Sequence, residues 1–324
     1  MMELYGTLGP ACAEEETLRR MFRAGMCGLR LNLSHRSLSE SGPWLEQARR
    51  AAADCGKTPR LLMDLQGPEL RTGNTGPVEL EGGKNGLPLT LLALPEPLTE
   101  QLSPGQTLLL DDGRLELRVE ADDCFRVLRG GTLLPRKSAA APGLEVSLPA
   151  LTGADRENLR LAADAGITGV MQSFVRGRDD LLALRQALDQ CGGRDIRLFA
   201  KVENRAGLES LPQWIDLCDT VVIARGDLGN AVPLWQLPAV QKEIAALCRK
   251  RNRPFLVVTQ LLASMETRAV PTRAEVSDIF NAVLDGAGAL MLTGETAAGQ
   301  WPAEAMEYLC RTAAAAEGFL QQER

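Results

Sequence analysis

Two acidic side chains follow neighbouring predicted strands in this 324-residue chain. Glu203 comes directly after the apolar run 197–202. Asp227 follows the next run, 221–224. Two carboxylates can bind one Mg²⁺ and leave positions for water and substrate. Each carboxylate alone is equally well explained by an ion pair with a Lys or Arg of the fold, but two at adjacent strand ends favour a metal site.

A lysine accompanies the first of these carboxylates. Lys201 lies two residues before Glu203, so the alternation of side chains along a strand directs both to the same face. There its ammonium could neutralise negative charge on a group in transfer. Phosphoryl transfer needs little from a protein beyond a divalent ion and cations around the moving group. A purely structural strand lysine remains the alternative.

A glycine-rich turn and a threonine stand at the ends of two further strand patterns. Residues 225–229 (RGDLG) precede a helical region, where backbone N–H groups can bind an anion such as a carboxylate. Thr259 ends the run 255–259, and its hydroxyl could bond a substrate or relay a proton. Both features are weak alone, because loops with two glycines are common and a strand-end threonine usually bonds to nearby backbone.

Short apolar runs that alternate with helical patterns must position these groups. Such alternation predicts a parallel sheet, and eight strand–helix pairs close most simply into a TIM (β/α)8 barrel, whose reactive groups lie at the C-terminal ends of the strands. The predicted strands are 4–9, 27–33, 61–65, 169–174, 197–202, 221–224, 255–259 and 289–293. The predicted helices are 14–23, 44–53, 155–165, 179–188, 240–249, 273–284 and 303–315.

The alternation breaks once, where glycine and proline separate short strand patterns such as 105–110 and 115–119. We therefore predict a small all-β domain inserted after the third strand, where it would cover the active-site face. The expected domains are a catalytic barrel, residues 1–73 and 144–324, and a small β-barrel-like lid, residues 74–143. The chain ends as the barrel closes, so no C-terminal allosteric domain is expected.

Composition excludes several functional classes. The formal net charge of -6 argues against binding to nucleic acid, which needs a clustered excess of Lys and Arg. No run of 18 apolar residues and no export signal occurs, so no membrane association is expected. The eight cysteines are scattered without metal-site spacing, which is typical of a reduced, cytoplasmic protein.

The charged strand ends belong to a series of motifs that resembles, in order, the pyruvate kinase family. The resemblance runs from residue 6 to about residue 310. It implies a phosphotransferase of glycolysis that converts phosphoenolpyruvate and ADP to pyruvate and ATP, with Mg²⁺ or Mn²⁺ and K⁺ as cofactors. The motifs are 6–11, 30–35, 67–73, 201–204, 224–229, 259–265, 271–275 and 291–297.

The resemblance also implies roles for single residues. Lys201 would stabilise the phosphoryl group in transfer, and Glu203 and Asp227 would bind the divalent metal. The amides around Gly226 and Asp227 would hold the substrate carboxylate. Thr259 would assist protonation of the enolate. These four groups form the core of the implied catalytic site.

Cation and nucleotide contacts are implied for the second and third strands. Arg30 would contact the phosphate, both as a catalytic and as a substrate-binding residue. The implied K⁺ ligands are Asn32, Ser34, Asp64 and the carbonyl of Leu65. The implied nucleotide contacts are Arg30, Asn32, His35 and Arg71.

Departures from the family pattern leave other functions open. Gln66 and Ala298 stand where the family commonly has lysine, and Ala231 stands where it has glutamate. The lid also looks shortened. One alternative is therefore a Mg²⁺-dependent decarboxylase or enolisation enzyme for pyruvate-like acids, and another is a non-catalytic paralogue that binds a ligand. A homodimer is expected, because the barrel-to-barrel contact of the family needs no further domain.

Overall fold

The structure is a computed structural model. It describes residues 2–111, 113–121, 123–144, 146 and 148–322. The outer ends of the predicted barrel range, residues 1 and 324, lie outside the described residues.

Two compact units make up the chain. The larger unit comprises Met1–Gly67, Ala150–Leu228 and Trp235–Arg324. The smaller unit comprises Pro68–Pro149 and Gly229–Leu234.

Eight parallel strands of the larger unit close into a barrel, which confirms the predicted TIM barrel. Their sequences are rich in Val, Ile and Leu, and nearly every residue is buried, as expected for strands covered on both faces. The strands are β1 (Glu3–Thr7), β2 (Gly28–Asn32), β3 (Arg60–Asp64), β4 (Gly169–Gln172), β5 (Arg197–Val202), β6 (Thr220–Ala224), β7 (Phe255–Val258) and β8 (Ala289–Met291).

The barrel closes where the first strand pairs with the last. Tyr5 of β1 is in register with Met291 of β8 on one side and with Gly28 of β2 on the other. Alternate residues of the strands point inward and fill the barrel with side chains, so the interior is a packed core and not a pore. Tyr5, Leu62, Met171, Phe199, Val222 and Leu256 belong to this buried cluster.

Helices follow the strands, and several begin at caps that are visible in the sequence. Thr152 and Thr272 each form a capping box with the acidic residue three positions later, which satisfies backbone N–H groups of the first turn. The helices are α1 (Glu15–Ala24), α2 (Gly42–Ala53), α3 (Gly153–Ala162), α4 (Arg178–Gln190), α5 (Arg205–Trp214), α6 (Arg225–Ala231), α7 (Leu237–Lys250), α8 (Arg273–Leu284), α9 (Gly294–Ala297) and α10 (Pro302–Gln322).

The seven predicted helices are confirmed, with ends shifted by a few residues. Helix α5 was not predicted, because Pro212 interrupts its pattern and proline usually ends or bends a helix. Its start is nevertheless fixed by Asn204, whose side chain accepts a hydrogen bond from Gly207 N. Short 3-10 helices lie at Ser39–Ser41, Leu89–Leu92, Ile215–Leu217 and Ala263–Glu266.

The smaller unit contains antiparallel strands around its own apolar core. Five strands form one sheet and two form another, with Leu108, Leu117 and Phe125 among the buried residues. A four-residue helix, Glu96–Thr99, accompanies them. The strands are Val78–Leu80, Leu87–Pro88, Thr107–Leu110, Leu115–Val119, Cys124–Arg129, Gly131–Leu133 and Ala139–Ala140.

Within the part of the chain that the structure describes, no helix combines the length and the apolar character needed to cross a membrane.

Candidate active site

A buried lysine lies at the centre of the charged groups at the C-terminal ends of the barrel strands. Lys201 is the last but one residue of β5, and only 11% of its side chain is exposed. Its Nζ lies 2.8 Å from Glu203 Oε1 and 3.2 Å from Asp64 Oδ1. It also donates a hydrogen bond of 2.9 Å to Ser173 Oγ. Two carboxylates and one hydroxyl therefore hold the ammonium.

The carboxylates decide the charge state of this lysine. Burial by itself lowers the pKa of Lys201, but the Coulombic attraction of Asp64 and Glu203 outweighs burial, and the net pKa is raised. Asp227 also raises it, so its carboxylate acts on the same ammonium. Lys201 is consequently a fixed positive charge at neutral pH, which suits stabilisation of an anion and not proton abstraction.

An arginine shares one of these carboxylates. Arg30 of β2 binds Asp64 of β3 through Nη2 at 2.6 Å and Nε at 2.8 Å, both to Oδ2. Its Nη1 lies 3.3 Å from Thr7 Oγ1. Burial would raise the pKa of Asp64, but attraction to Lys201 and Arg30 lowers the net value. Two predicted cations thus converge on one ionised carboxylate.

Glu203 presents one engaged and one available oxygen. Its Oε2 accepts a hydrogen bond of 2.7 Å from Phe174 N. Its Oε1 is buried, and among the described residues it forms the ion pair with Lys201 but no hydrogen bond. Buried carboxylate oxygens are rarely left in this state. A divalent cation is a partner whose chemistry fits this oxygen.

The donor set is suited to a cation that keeps water or substrate ligands. Among the described residues, no three His, Cys, Asp or Glu side chains are grouped to hold a metal by themselves. Mg²⁺ is usually bound by one or two carboxylates together with water and substrate oxygens. Glu203 and Asp227 fit that requirement.

Thr259 follows β7 in a strained backbone conformation. Its φ is +73°, and the next residue, Gln260, has φ +54°; positive φ is unusual for a β-branched residue. Thr259 Oγ1 donates to Val258 O at 2.6 Å and accepts from Gly226 N at 2.8 Å. Two predicted substrate-binding groups are thereby in direct contact. The N–H expected to hold a carboxylate is bonded to the threonine hydroxyl.

Arg225 holds the carbonyl of this threonine. Its Nη2 donates to Thr259 O at 2.8 Å and its Nη1 to Asp278 Oδ1 at 2.8 Å. The contact joins the start of α6 to the end of β7, and a carboxylate of α8 orients the guanidinium. The strained conformation is therefore supported from outside the strand.

The predicted K⁺ ligands come from two adjacent strands. Asn32 and Asp64 are in register at the ends of β2 and β3. Asn32 Oδ1 accepts a hydrogen bond of 3.2 Å from Ser34 N. The Leu65 carbonyl accepts one of 2.8 Å from Ser173 Oγ. His35 lies next to these residues, since its backbone N–H donates a hydrogen bond of 3.3 Å to Asn32 O.

Arg71 belongs to the smaller unit. Its Nη2 lies 2.6 Å from Glu69 Oε2, and its Nη1 donates to Arg136 O at 2.8 Å. The guanidinium is therefore oriented within that unit.

Ser173 is the residue of this site that the sequence did not reveal. It is 4% exposed and contacts Lys201, Asp64 and Leu65. A single serine after an apolar run has no distinctive spacing. The one available signal was its position at the end of a predicted barrel strand, where reactive groups collect.

Comparison with known proteins identifies the family. The family model described as pyruvate kinase, barrel domain, matches residues 2–306. This chain belongs to the pyruvate kinase family. The resemblance seen in the strand-end motifs is thereby confirmed.

Curated relatives extend the match. The chain is 35% identical to the pyruvate kinase of Bacillus licheniformis over 98% of this chain and 57% of that protein. It is 37% identical to the pyruvate kinase of Geobacillus stearothermophilus, over 97% of this chain and 57% of the relative. It is 38% identical to the pyruvate kinase of Aeropyrum pernix, over 96% of this chain and 69% of that protein. The chain thus spans little more than half the length of most of these relatives.

Proposed function

We propose that this chain is a phosphotransferase that moves the phosphoryl group of phosphoenolpyruvate to ADP. The observation that carries the proposal is the buried Lys201 ammonium, held by Asp64, Glu203 and Ser173 at the C-terminal ends of the strands. Permanent positive charge in a site of low dielectric stabilises charge that develops on a phosphoryl group. Membership of the pyruvate kinase family supports the choice of substrates.

The reaction breaks the bond between phosphorus and the enol oxygen and forms a bond to a terminal oxygen of ADP. Lys201 stays protonated and faces the equatorial oxygens of the phosphoryl group. Arg30 adds a second cation, and Asp64 keeps both side chains in place. Because Asp64 is ionised and shared, loss of either cation would leave a buried carboxylate with only part of its charge compensated.

Glu203 and Asp227 are the residues proposed to hold Mg²⁺ or Mn²⁺. When bound, the divalent ion supplies positive charge that neutralises the phosphate and polarises the enol oxygen. The Oε1 of Glu203, which has the ion pair with Lys201 but no hydrogen bond among the described residues, supports this assignment. Phe174 N fixes the other oxygen and so sets the orientation of the carboxylate.

Departure of the phosphoryl group leaves an enolate, which takes a proton at its methylene carbon to give pyruvate. Thr259 is proposed to assist that protonation, directly or through water. Gly226 N and Asp227 N are proposed to bind the substrate carboxylate. A carboxylate that takes the Gly226 N–H would release Thr259 Oγ1 from its present bond. Substrate binding would therefore free a lone pair of the hydroxyl, whose proton is donated to Val258 O in the present arrangement.

The remaining contacts are proposed from the resemblance and from the grouping of strand ends. Asn32, Ser34, Asp64 and the Leu65 carbonyl would bind K⁺. The nucleotide would contact Arg30, Asn32, His35 and Arg71. A homodimer in the cytoplasm is the proposed state of the protein, and analytical ultracentrifugation tests the dimer.

An assay coupled to lactate dehydrogenase tests the function. Purified protein is supplied with phosphoenolpyruvate, ADP, Mg²⁺ and K⁺, and pyruvate formation is followed by NADH oxidation. We expect turnover that needs all four components. Folded protein at high concentration that gives no turnover would contradict the proposal. Deuterium uptake into pyruvate without ADP-dependent turnover would instead identify an enolisation enzyme.

A further inference from the structure

A wholly buried carboxylate lies outside the residues assigned so far. Asp155, in the first turn of α3, is 0% exposed. Its Oδ2 accepts hydrogen bonds from Thr152 N at 2.9 Å and from Thr152 Oγ1 at 2.8 Å. The bond from Thr152 N and the bond of 3.0 Å from Asp155 N to Thr152 Oγ1 form the capping box. Its Oδ1 accepts a bond of 2.9 Å from Gln66 N, and Oδ2 accepts one of 3.1 Å from Gly67 N. A helix cap needs only the first pair.

The bond to Gln66 fixes a peptide plane. In a trans peptide the N–H and the preceding C=O point in opposite directions, and no cis peptide occurs among the described residues. Because Gln66 N–H points to Asp155, the Leu65 carbonyl must point the other way. There it accepts the hydrogen bond of 2.8 Å from Ser173 Oγ.

The carbonyl in turn sets the direction of the Ser173 hydroxyl. A serine hydroxyl has one proton to donate and two lone pairs. Leu65 O at 2.8 Å is closer than Asp64 Oδ1 at 3.2 Å, so the proton goes to the carbonyl. A lone pair then faces Lys201 Nζ, which donates at 2.9 Å. In this orientation the serine oxygen is held by the Leu65 carbonyl on one side and accepts from the ammonium on the other.

Close packing keeps the serine in place. Gly67 has φ +64°, and a Cβ added there would lie 2.9 Å from Ser173 Cβ. The backbone that Asp155 binds is therefore in contact with the serine that Lys201 binds. A shift of one displaces the other.

We propose that Asp155 is a positioning residue for Lys201. It acts through the Leu65–Gln66 peptide and the Ser173 hydroxyl, and we call this series of contacts the relay. The relay holds the Lys201 ammonium at the site where the phosphoryl group is transferred. The kinetic part of this inference rests on the proposed function. The chemical part concerns the lysine alone and is independent of turnover.

The variant Asp155→Asn separates the two tasks of this side chain. An amide has one acceptor oxygen, which keeps the capping box if it occupies the place of Oδ2. The NH₂ group then faces Gln66 N–H, so two donors oppose each other and the peptide plane is released. The matched control is Thr152→Ala, which removes the side-chain cap but leaves the bonds of Asp155 to Gln66 and Gly67. Cap removal lowers stability without touching the relay.

A double-mutant cycle with Ser173→Ala gives the kinetic readout. We expect D155N to lower kcat by about 10- to 100-fold, the scale expected when a catalytic group is displaced, with a smaller change in KM for phosphoenolpyruvate. In the S173A background D155N should have little further effect, because the relay is already broken. T152A should lower Tm but leave kcat nearly unchanged. Additive losses of kcat in the cycle, or an equal loss in T152A, would overturn the inference.

Labelling of Lys201 gives the readout that needs no turnover. Acetic anhydride is added to the full chain, and modification of each lysine is followed by mass spectrometry. We expect Lys201 to react several-fold faster in D155N and S173A than in wild type and T152A. Equal rates in folded wild type and D155N would overturn the proposal, whereas absent turnover in wild type would overturn only the proposed function.

A measurement on the wild type covers the case in which D155N does not fold. Hydrogen exchange of the Gln66 amide, observed by NMR, should be as slow as that of the barrel strands, because a buried carboxylate holds it. A rapidly exchanging Gln66 amide would show that Asp155 does not fix this peptide and would overturn the inference.

Discussion

Glu203 Oε1 lies 2.8 Å from Lys201 Nζ and yet makes no hydrogen bond. The other oxygen of the same carboxylate is fixed by Phe174 N. Phe174 has φ +55°, an unfavourable backbone conformation for an aromatic residue. The barrel therefore orients one carboxylate oxygen towards the lysine and leaves it able to accept a further partner.

Glu203→Gln tests that oxygen as a metal ligand. The amide keeps the shape of the side chain but removes its charge, so the half-activating concentration of Mg²⁺ should rise by at least about 10- to 100-fold. The measurement is a Mg²⁺ titration of phosphoenolpyruvate turnover at fixed ADP. Glu209→Gln, at an exposed helix position, is the control. An unchanged Mg²⁺ requirement in E203Q would exclude Glu203 as a ligand.

Two substitutions at Thr259 distinguish its hydroxyl from its shape. Thr259→Ser keeps the oxygen that binds Gly226 N and Val258 O, and it removes the β-branch that conflicts with φ +73°. Thr259→Val keeps the branch and removes the oxygen. We expect deuterium uptake into pyruvate to stay within about tenfold of wild type in T259S and to fall by about 100-fold or more in T259V, the range of general acid–base assistance. Equal rates for the two variants would remove the hydroxyl from the mechanism.

Acid stability should depend on Glu275, in the first turn of α8. Burial raises the pKa of this carboxyl, but hydrogen bonds from Ser264 and Thr272 outweigh burial and lower it. The bonds to Ser264 N and Thr272 N are both 2.7 Å. A lowered pKa in the folded state stabilises the protein above the unfolded pKa of about 4.3, and that stabilisation is lost as pH falls through the folded value.

The variant Glu275→Gln isolates this contribution. Wild type should lose free energy of unfolding between neutral pH and pH about 3, and the loss should be smaller in E275Q because the amide does not titrate. Urea unfolding across that range is the measurement. E275Q should already be less stable at pH 7. Parallel curves for the two proteins would show that Glu275 contributes nothing to the pH dependence.

Gly67 and Gly56 form a matched pair for the packing against Ser173. Both have similar φ, +64° and +67°, but a Cβ at Gly56 meets nothing within 4 Å. Gly56→Ala should cost about 1–2 kcal/mol for the left-handed backbone alone. Gly67→Ala should cost more and should also lower kcat, because the new methyl displaces Ser173. Chemical unfolding and steady-state kinetics of both variants are the measurements. Equal losses of the free energy of unfolding in the two variants, with kcat unchanged, would contradict the close contact between Gly67 and Ser173.

Much of the barrel was predictable because its strands are buried on both faces. Runs such as 221–224 are continuously apolar, and the polar groups that follow their ends can gather at one edge. Lys201 and Glu203 were therefore predictable as a pair from the period of a strand. Their third partner, Asp64, comes from a distant strand and was assigned only through the resemblance.

The remaining features depend on contacts that no local pattern encodes. Ser173 and Asp155 are ordinary residues in sequence, and their roles arise because β3, β4 and α3 meet in space. The positive φ of Thr259 is unusual for a β-branched residue, and the carbonyl of this residue accepts a hydrogen bond from Arg225. Sequence rules fail at such places because tertiary contacts outweigh local preference.

The most direct test of phosphoryl transfer at Lys201 compares the rate of ATP formation by the wild type with that by the variant Lys201→Met. Both proteins are purified from a host that lacks its own pyruvate kinases, and ³¹P NMR follows phosphoenolpyruvate, ADP and ATP in the presence of Mg²⁺ and K⁺. Wild type should consume phosphoenolpyruvate and ADP and form pyruvate and ATP in equal amounts, and K201M should be slower by about 100-fold or more, since it lacks the charge that stabilises the transferring group. ATP formation at the same rate in both proteins, or in neither when both are folded, would contradict phosphoryl transfer at Lys201.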